Sequence, residues 1–517
     1  MGEQKKTSLL RDNEQFPIFT TKSKHVDGTT LELCESGILR IGKNEIFLTF
    51  ENLKMEKERS HQFQLLSFQW LNRILDSRDH EEGKIAFQRY WDSVLEPLIS
   101  LIHQSESEPF FMAWNDHAFA LRTVVLSKLY LLSDDELKQV LRKKLEESVD
   151  FLTGEQNYDS QSNHGWDQAK ALLIASTILR NSSEVGMERF RNELFHAFSS
   201  DGIHVENSPH YHIHMLNNLV YSVEIFREIG VEISFLNEMV EVAKSTILYY
   251  QIVMRENGTI PLIGDSYTMP PKLNQITKNF ILENKFNIHD EDFFPFPKTG
   301  YCYWKYKWGS FDVHFSLKNS HLSRYHRHDD DLSLTLNIGG VDVFIDGGLY
   351  KYEEKDEQRI YLRSPFSHST IVLPEHNPQR KLGYEINNSS KNESKEFTAQ
   401  SGIWEGNVVT RKIKMESSNR FMIQDAVEGE ANGFEILFQT TCENITTEGN
   451  NVIMDFEKFS VKIDFSSSDI DNIEPDIRKS IYSPQYDQLV ESTTVAFTSQ
   501  TNQLAYSIIL VLKEVDQ

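Results

Sequence analysis

Two histidines and three carboxylic acids stand together in Tyr325-His326-Arg327-His328-Asp329-Asp330-Asp331-Leu332, directly ahead of an alternating apolar run. Imidazole and carboxylate are ligands for divalent metals, and they are also groups that move protons near neutral pH. Downstream, Asp346 closes the next apolar run, and His368 sits in Ser367-His368-Ser369-Thr370. Gly339-Gly340 between the runs is a two-residue turn signal, and antiparallel pairing brings the start of one strand towards the end of the next. A plain turn of this kind places Asp346 opposite Ser333, so His328 must bend back to reach it. Spacing alone therefore accommodates a His328–Asp346 salt bridge as well as a metal pair, and it selects no third ligand. His326 is left over and needs another role. A run such as Asp329-Asp330-Asp331 also reads in part as a solvated loop.

Two more clusters carry candidate chemistry. Ser162-Asn163-His164-Gly165-Trp166-Asp167 precedes a helical pattern, where Asn is a common cap and His and Trp can simply pack. In Glu206-Asn207-Ser208-Pro209-His210-Tyr211-His212-Ile213-His214, Ser208 suits the cap and Pro209 the first helical turn. Capping does not account for three histidines and a tyrosine so close together. His210, His212 and His214 do not share a helical face, which argues against a metal triad there.

The elements that must position these residues change character along the chain. The 517 residues exceed one compact core, and 39% hydrophobic with 25% charged residues is ordinary soluble globular composition. A formal net charge of −24 argues against a nucleic-acid partner but permits a local basic groove for an anionic substrate. No apolar run approaches the roughly 20 residues that span a bilayer. Cys34, Cys302 and Cys442 are too sparse for a disulfide framework. The start, Met1 to Asp12, lacks an apolar signal segment, so the chain as written is expected in the cytoplasm, or in the periplasm or outside if a leader has been removed.

A mixed segment, residues 1–56, includes a short hairpin with its turn at Gly42-Lys43-Asn44-Glu45. Helical periodicity rules residues 57–295: Leu65, Phe68, Leu71 and Leu75 share a face, Trp91, Val94, Leu95, Leu98 and Leu101 continue in that style, and Pro97 kinks or starts a helix. Ser133-Asp134-Asp135-Glu136 reads as a capping box. Phe294-Pro295-Phe296-Pro297 breaks helix, and alternation fills residues 296–517. The expected class is α+β multidomain, a helical array followed by an antiparallel β-sandwich.

Together the three clusters resemble the heparinase II/III family of polysaccharide lyases. Asn163-His164 matches its Asn-His pair, and Ser208-Pro209-His210-Tyr211 its Ser-Pro-x-Tyr element. His326, His328 and Asp330 match His-x-His-x-Asp, and Asp346, Gly348, Tyr350 and Tyr352 the next motif. Arg359, Tyr361, Arg363, Ser364, His368 and Thr370 match the last, with Pro365 where Thr is usual and Ser369 where Asn is usual. Trp114-Asn115-Asp116-His117, Arg122 and Gly264-Asp265-Ser266 also look like family features.

The resemblance implies an incomplete (α/α) toroid, a β-sandwich, an active site in the cleft between them, and β-elimination at a uronic acid. Tyr211, His164, Asn163 and His326 are the implied catalytic residues, and Arg122, Trp114, Tyr352, Arg363 and Asp265 the implied substrate contacts. His328, Asp346 and His368 are the implied ligands of one structural divalent metal, zinc or alternatively manganese. Positive charge near Tyr211 is expected to lower its pKa. The expected substrate is a glycosaminoglycan: hyaluronan, chondroitin sulfate or heparan sulfate. Alternatives are alginate or another acidic exopolysaccharide, a metal-dependent hydrolase, and a non-catalytic polysaccharide-binding protein.

Overall fold

The computed structural model describes residues 27–41, 44–97, 99, 110–319, 322–379, 384, 386–465 and 474–513. Gly42-Lys43 of the expected turn, Leu98, Leu101 and the leader question at Met1 to Asp12 lie outside the described residues. Helix α1 (Gly28–Ser36) and the hairpin β1–β2 (Ile38–Ile41, Asn44–Phe47) lead into α2 (Phe50–Met55), α3 (Arg59–Leu66), α4 (Gln69–Asp76) and α5 (Glu81–Tyr90). The face expected across Leu65 and Phe68 is interrupted. Phe68 is buried in the left-handed region at φ 58° and separates α3 from α4. A π-helical turn, Trp91–Leu95, lies just ahead of Pro97, whose ring and missing N–H disturb the ordinary ladder.

Longer helices follow: α6 (Asp116–Leu132), α7 (Asp135–Thr153), α8 (Asn163–Leu179), α9 (Glu184–Ala197), α10 (Pro209–Ile229), α11 (Ile233–Val253) and α12 (Gln275–Asn284). The cap of α7 is Asp134, which accepts from Leu137 N–H at 3.0 Å; the expected Ser133 instead donates to Leu129 C=O. The chain clusters into two compact units, Met1–Ala197 with Tyr221–Val240, and Phe198–Val220 with Glu241–Gln517. In the first, α6 packs on α7 and α8, and α8 on α9. Leu65, Leu71, Leu75, Trp91, Val94 and Leu95 share its core.

The second unit holds the larger sheets. Strands β3 (Phe293–Phe296), β4 (Tyr301–Trp308), β5 (Phe311–Lys318), β6 (Ser333–Ile338) and β7 (Val341–Phe344) precede helix α13 (Glu357–Leu362) and the short β8 (Ile371–Val372). Then come β9 (Ile386–Lys391), β10 (Glu396–Ser401), β11 (Asn407–Ser417), β12 (Arg420–Gly429) and β13 (Phe434–Thr440). Next are β14 (Ile445–Glu448), β15 (Asn451–Asp455), β16 (Phe459–Asp464), β17 (Asp476–Gln485), β18 (Gln488–Ser499) and β19 (Gln503–Leu512). One antiparallel sheet runs β17-β18-β13-β7-β6-β5-β4-β3, with β8 on β13, and the other β14-β15-β16-β19-β12-β11-β10-β9. Pro295 breaks no ladder because β3 is an edge strand. The sheets share one core, in which Trp304 and Phe315 pack on Phe421 with ring centroids 5.9 and 4.7 Å apart.

A helical region followed by antiparallel sheets is the expected order. The Gly339-Gly340 turn forms with both residues at positive φ, 57° and 88°, as a tight hairpin requires. The register slips after Ile338↔Val341 and Asn337↔Asp342, so that Leu336 faces Phe344. Ser333 still reaches Asp346, donating its hydroxyl proton at 2.6 Å.

One buried ion pair anchors the loops above this sheet. Arg411 makes two 2.8 Å bonds to Asp425, and its other N–H groups donate to Leu332 C=O at 2.7 Å, Ser369 C=O at 3.2 Å and the Tyr506 hydroxyl at 3.4 Å. Both side chains are fully buried. Removing one partner strands the other charge away from water. Asp425→Ala is expected to lower the unfolding free energy by about 3–5 kcal/mol in chemical denaturation. Asp312→Ala, which breaks the exposed Lys307 pair, is expected to leave the denaturation midpoint nearly unchanged, because solvent screens that pair.

Candidate functional site

Helix α10 begins as its sequence dictates. Pro209 is its first residue, and Ser208 Oγ accepts from Tyr211 N–H at 3.4 Å while donating to Asp265 C=O at 3.0 Å. Asn207, at φ 58°, sends its amide to Ser323 C=O at 2.7 Å and Tyr325 C=O at 3.0 Å. This ties the helix start to the histidine loop. Gly264, at φ 55°, lies between them, and a Cβ there would meet Asn207 O at 2.4 Å and His326 O at 2.7 Å. No other residue fits that approach.

The bend required near Arg327 is present. His326 is left-handed at φ 54°, and residues 326–331 belong to no strand. Its ring stacks on Tyr211 at a centroid separation of 3.5 Å and 15° between planes. The Tyr211 hydroxyl lies 2.5 Å from that of Tyr352, which is half exposed. Burial first, and then the Tyr352 hydroxyl, raise the Tyr211 phenol above its ordinary pKa. The expected lowering by positive charge is thus corrected. Tyr267 is displaced the same way, by burial and by Tyr352, and its ring meets His210 edge-on at 4.9 Å.

Asp265, expected at the substrate, is only 2% exposed and has both oxygens engaged. Oδ2 meets His326 Nδ1 at 3.0 Å and Arg359 Nη2 at 2.8 Å; Oδ1 meets His328 Nε2 at 2.9 Å and Arg359 Nη1 at 2.5 Å. Burial opposes the charge, but His326, His328 and Arg359 hold the carboxyl well below the usual carboxylate range. It organises side chains and presents nothing to a ligand.

Behind it, Asp330, Asp346 and His368 are buried with ligand atoms within 4.8 Å of one another. Two of the three expected metal ligands converge, and Asp330 takes the third place. His328 stands alongside, its ring 5.3 Å from that of His368 and its Nε2 held by Asp265. His328 Nδ1, His368 Nε2, Asp346 Oδ2 and Asp330 Oδ2 are all buried without a hydrogen-bond partner. Such atoms are costly unless something pairs with them, and the set fits a divalent cation. The acidic run is no solvated loop: Asp329, Asp330 and Asp331 are 6%, 0% and 4% exposed. Lys318 pairs with Asp330, while Tyr384 and Ser401 donate to Asp331 at 2.5 and 2.6 Å. Glu206 Oε2 lies 3.5 Å from His326 Nε2. Lys318, Glu206 and Tyr267 were not legible as site residues, because long-range pairing alone brings them in. Asp330 was legible in His-x-His-x-Asp.

In the first compact unit, Ser162 rather than Asn163 caps α8, accepting from Gly165 N–H at 3.0 Å, and Asn163 is exposed. His164 Nδ1 lies 2.9 Å from Asp116 Oδ2, which raises the imidazole pKa. Its ring stacks on His117 at 4.4 Å, and His117 Nε2 lies 2.9 Å from Asp167. Arg122, expected at the substrate, is 1% exposed, donating to Leu66 C=O at 2.8 Å and Ala113 C=O at 2.7 Å. It holds chain segments together and is unavailable to a polymer. Trp114 is partly exposed, packed on Phe119 and Phe151. In the second unit Arg363 pairs with Glu354 and donates to Arg327 C=O at 3.3 Å.

Residues 107–292 match the family model described as heparinase II/III N-terminus, and residues 288–510 the one described as heparinase II/III-like, C-terminal. A heparin-sulfate lyase of Bacteroides stercoris is 24% identical over 241 residues, 42% of this chain and 36% of that protein. One of Bacteroides thetaiotaomicron is 21% identical over 374 residues, 62% of this chain and 51% of that protein. The matches thus span from about a third to half of these relatives' length. Among solved structures, a heparan sulfate lyase from Pedobacter heparinus has a TM-score of 0.77 at 17% identity, covering 95% of this chain and 84% of its own. A heparinase III structure has a TM-score of 0.71 at 15% identity, covering 98% and 87%.

Two outcomes are expected. Elemental analysis of purified protein finds about one divalent ion per chain, and His368→Ala loses it. The Asp116–His164 pair gives a signed pH dependence. Asp116 is held below its ordinary pKa by His164, so its contribution is present above about pH 3.9 and lost as pH falls. His164 is raised by Asp116, so its contribution is present below about pH 6.5 and lost as pH rises through the folded pKa. The stability difference between wild type and Asp116→Asn is expected to peak between about pH 4 and 6.5 and shrink on both sides.

Proposed function

Because the chain belongs to the heparinase II/III-like family, we propose that it is a polysaccharide lyase cleaving a uronic-acid polymer by β-elimination. The observation that carries this reading is the Tyr211–His326 stack, with the Tyr211 hydroxyl on that of Tyr352. Removing the C5 proton builds charge on a sugar that already bears a carboxylate, so that carboxylate must first be neutralised. Asn163 and His164 are assigned this task. The raised pKa of His164 suits a cationic donor better than a base.

A phenol held above its ordinary pKa is protonated at rest, which suits Tyr211 as the acid that protonates the departing O4. Where the C5 proton and O4 share a face of the sugar, Tyr211 is also the base: its resting proton first passes to solvent, and the phenolate then takes the C5 proton and returns it to O4. The Tyr352 hydroxyl is then placed to donate to the phenolate as its charge develops. Where they lie on opposite faces, His326 takes the proton and Tyr211 supplies one. Arg363 and Trp114 remain candidate substrate contacts.

Asp346 and His368, with Asp330 or His328 completing the set, would hold a divalent metal, whose fixed charge would tie the loop ahead of β6, the segment after β7 and the His368 loop together. Zinc suits these ligands, and manganese is the alternative. The full burial of Asp330, Asp346 and His368 favours a structural role over the activation of water for hydrolysis.

A glycosaminoglycan is the proposed substrate. The two lyase relatives favour heparan sulfate over hyaluronan and chondroitin sulfate, with alginate or another acidic exopolysaccharide as the alternative. Incubation with each polymer is expected to raise ultraviolet absorbance from unsaturated uronate with at least one of them. New reducing ends without absorbance would overturn the lyase reading. Tyr211→Phe is expected to lower turnover roughly 10²–10⁴-fold.

A further inference from the structure

Asp265 lies between two histidines that present different nitrogens to it. His326 offers Nδ1 to Oδ2 at 3.0 Å, and His328 offers Nε2 to Oδ1 at 2.9 Å. An ionised carboxylate only accepts, so each facing nitrogen must carry hydrogen. Arg359 fixes the carboxylate from the other side with two N–H groups, at 2.5 and 2.8 Å, and is itself tied to Leu349 C=O at 2.9 Å. The backbone adds a further link, since Asp265 N–H donates to His326 C=O at 3.3 Å. The carboxylate cannot turn away from either ring.

We propose that Asp265 is the positioning residue of the site, holding a proton on Nδ1 of His326 and on Nε2 of His328, so that the two histidines present opposite ring nitrogens to their surroundings. His326 then directs Nε2 away from Asp265 to within 3.5 Å of Glu206 Oε2, while its ring face lies on Tyr211. His328 directs Nδ1 away, and that atom is buried without a hydrogen-bond partner next to His368. One carboxylate thus gives the reacting histidine and the histidine behind it complementary tautomers. The assignment of His326 to chemistry rests on the reading proposed above; the tautomers do not.

The two are separable experimentally. In protein with ¹⁵N-labelled histidine rings, resonances are assigned from His326→Gln and His328→Gln variants. Nδ1 of His326 and Nε2 of His328 are expected in the N–H shift range. A bare Nδ1 on His326 or a bare Nε2 on His328 overturns the proposal, whether or not any polymer is cleaved. Asp265→Asn supplies a second readout, because an amide accepts through oxygen but donates through nitrogen. One of the two rings is expected to switch tautomer, and neither switching overturns the proposal. With a cleavable polymer, the same variant is expected to lose at least tenfold in kcat with KM within about threefold. A loss confined to KM also overturns it. If no polymer is cleaved while both rings show the expected nitrogens, the lyase reading fails and the positioning role stands.

Discussion

A single buried carboxylate holds the site together. Asp265 accepts from two imidazoles and one guanidinium, and its backbone bonds to the same histidine loop. In a low-dielectric setting such a group is destabilising unless every lone pair is engaged, and here both oxygens are. The constraint acts outward: Asp265 C=O takes the Ser208 hydroxyl, Ser208 Oγ takes Tyr211 N–H, and Tyr211 lies flat on His326. The helix start, the Gly264 segment and the histidine loop therefore take up their places together.

Beneath this lies a second layer of buried charge. Arg411 ties Leu332 and Ser369 to the sheet through their carbonyls, while Lys318 and Tyr384 occupy the acids of the loop. A loop with no ladder of its own must satisfy its polar groups some other way. Burying these ions is stabilising only because each meets an opposite charge or several donors. Unpartnered atoms are left on His368, Asp346 and Asp330, whose ligand atoms converge, and on His328 alongside them, which is the arrangement a cation would complete.

Periodicity carried the fold well. The long helices, the change to strands near residue 293 and the Gly339-Gly340 hairpin all follow from local pattern. The bend at Arg327 was also legible, because His326 and His328 could not serve different neighbours from a regular strand. Burial was not legible. Arg122 and Asp265 carry the charges that a polymer-binding residue needs, yet both bond inside the protein. The acidic run read as solvated because Lys318, Tyr384 and Ser401, its partners, arrive from distant strands and loops. Asp134 displaced Ser133 as a cap because Ser133 is already used at the end of α6.

The backbone around the site is held away from relaxed geometry. Asn207, His326, Leu332 and Tyr350 all have φ between 54° and 63°, a region other than glycine enters at a cost. Each lies in one of the segments that build the site. Such conformations persist only where the surroundings over-determine them. For His326 those surroundings are the Asp265 bonds, the Tyr211 ring and the Asn207 link to Tyr325. A relaxed loop at 326 would allow His326 and His328 to lie on one face of a strand, both turned the same way. The left-handed turn is what lets one carboxylate hold two histidines by different nitrogens, so the strain and the division of roles are one feature of the structure.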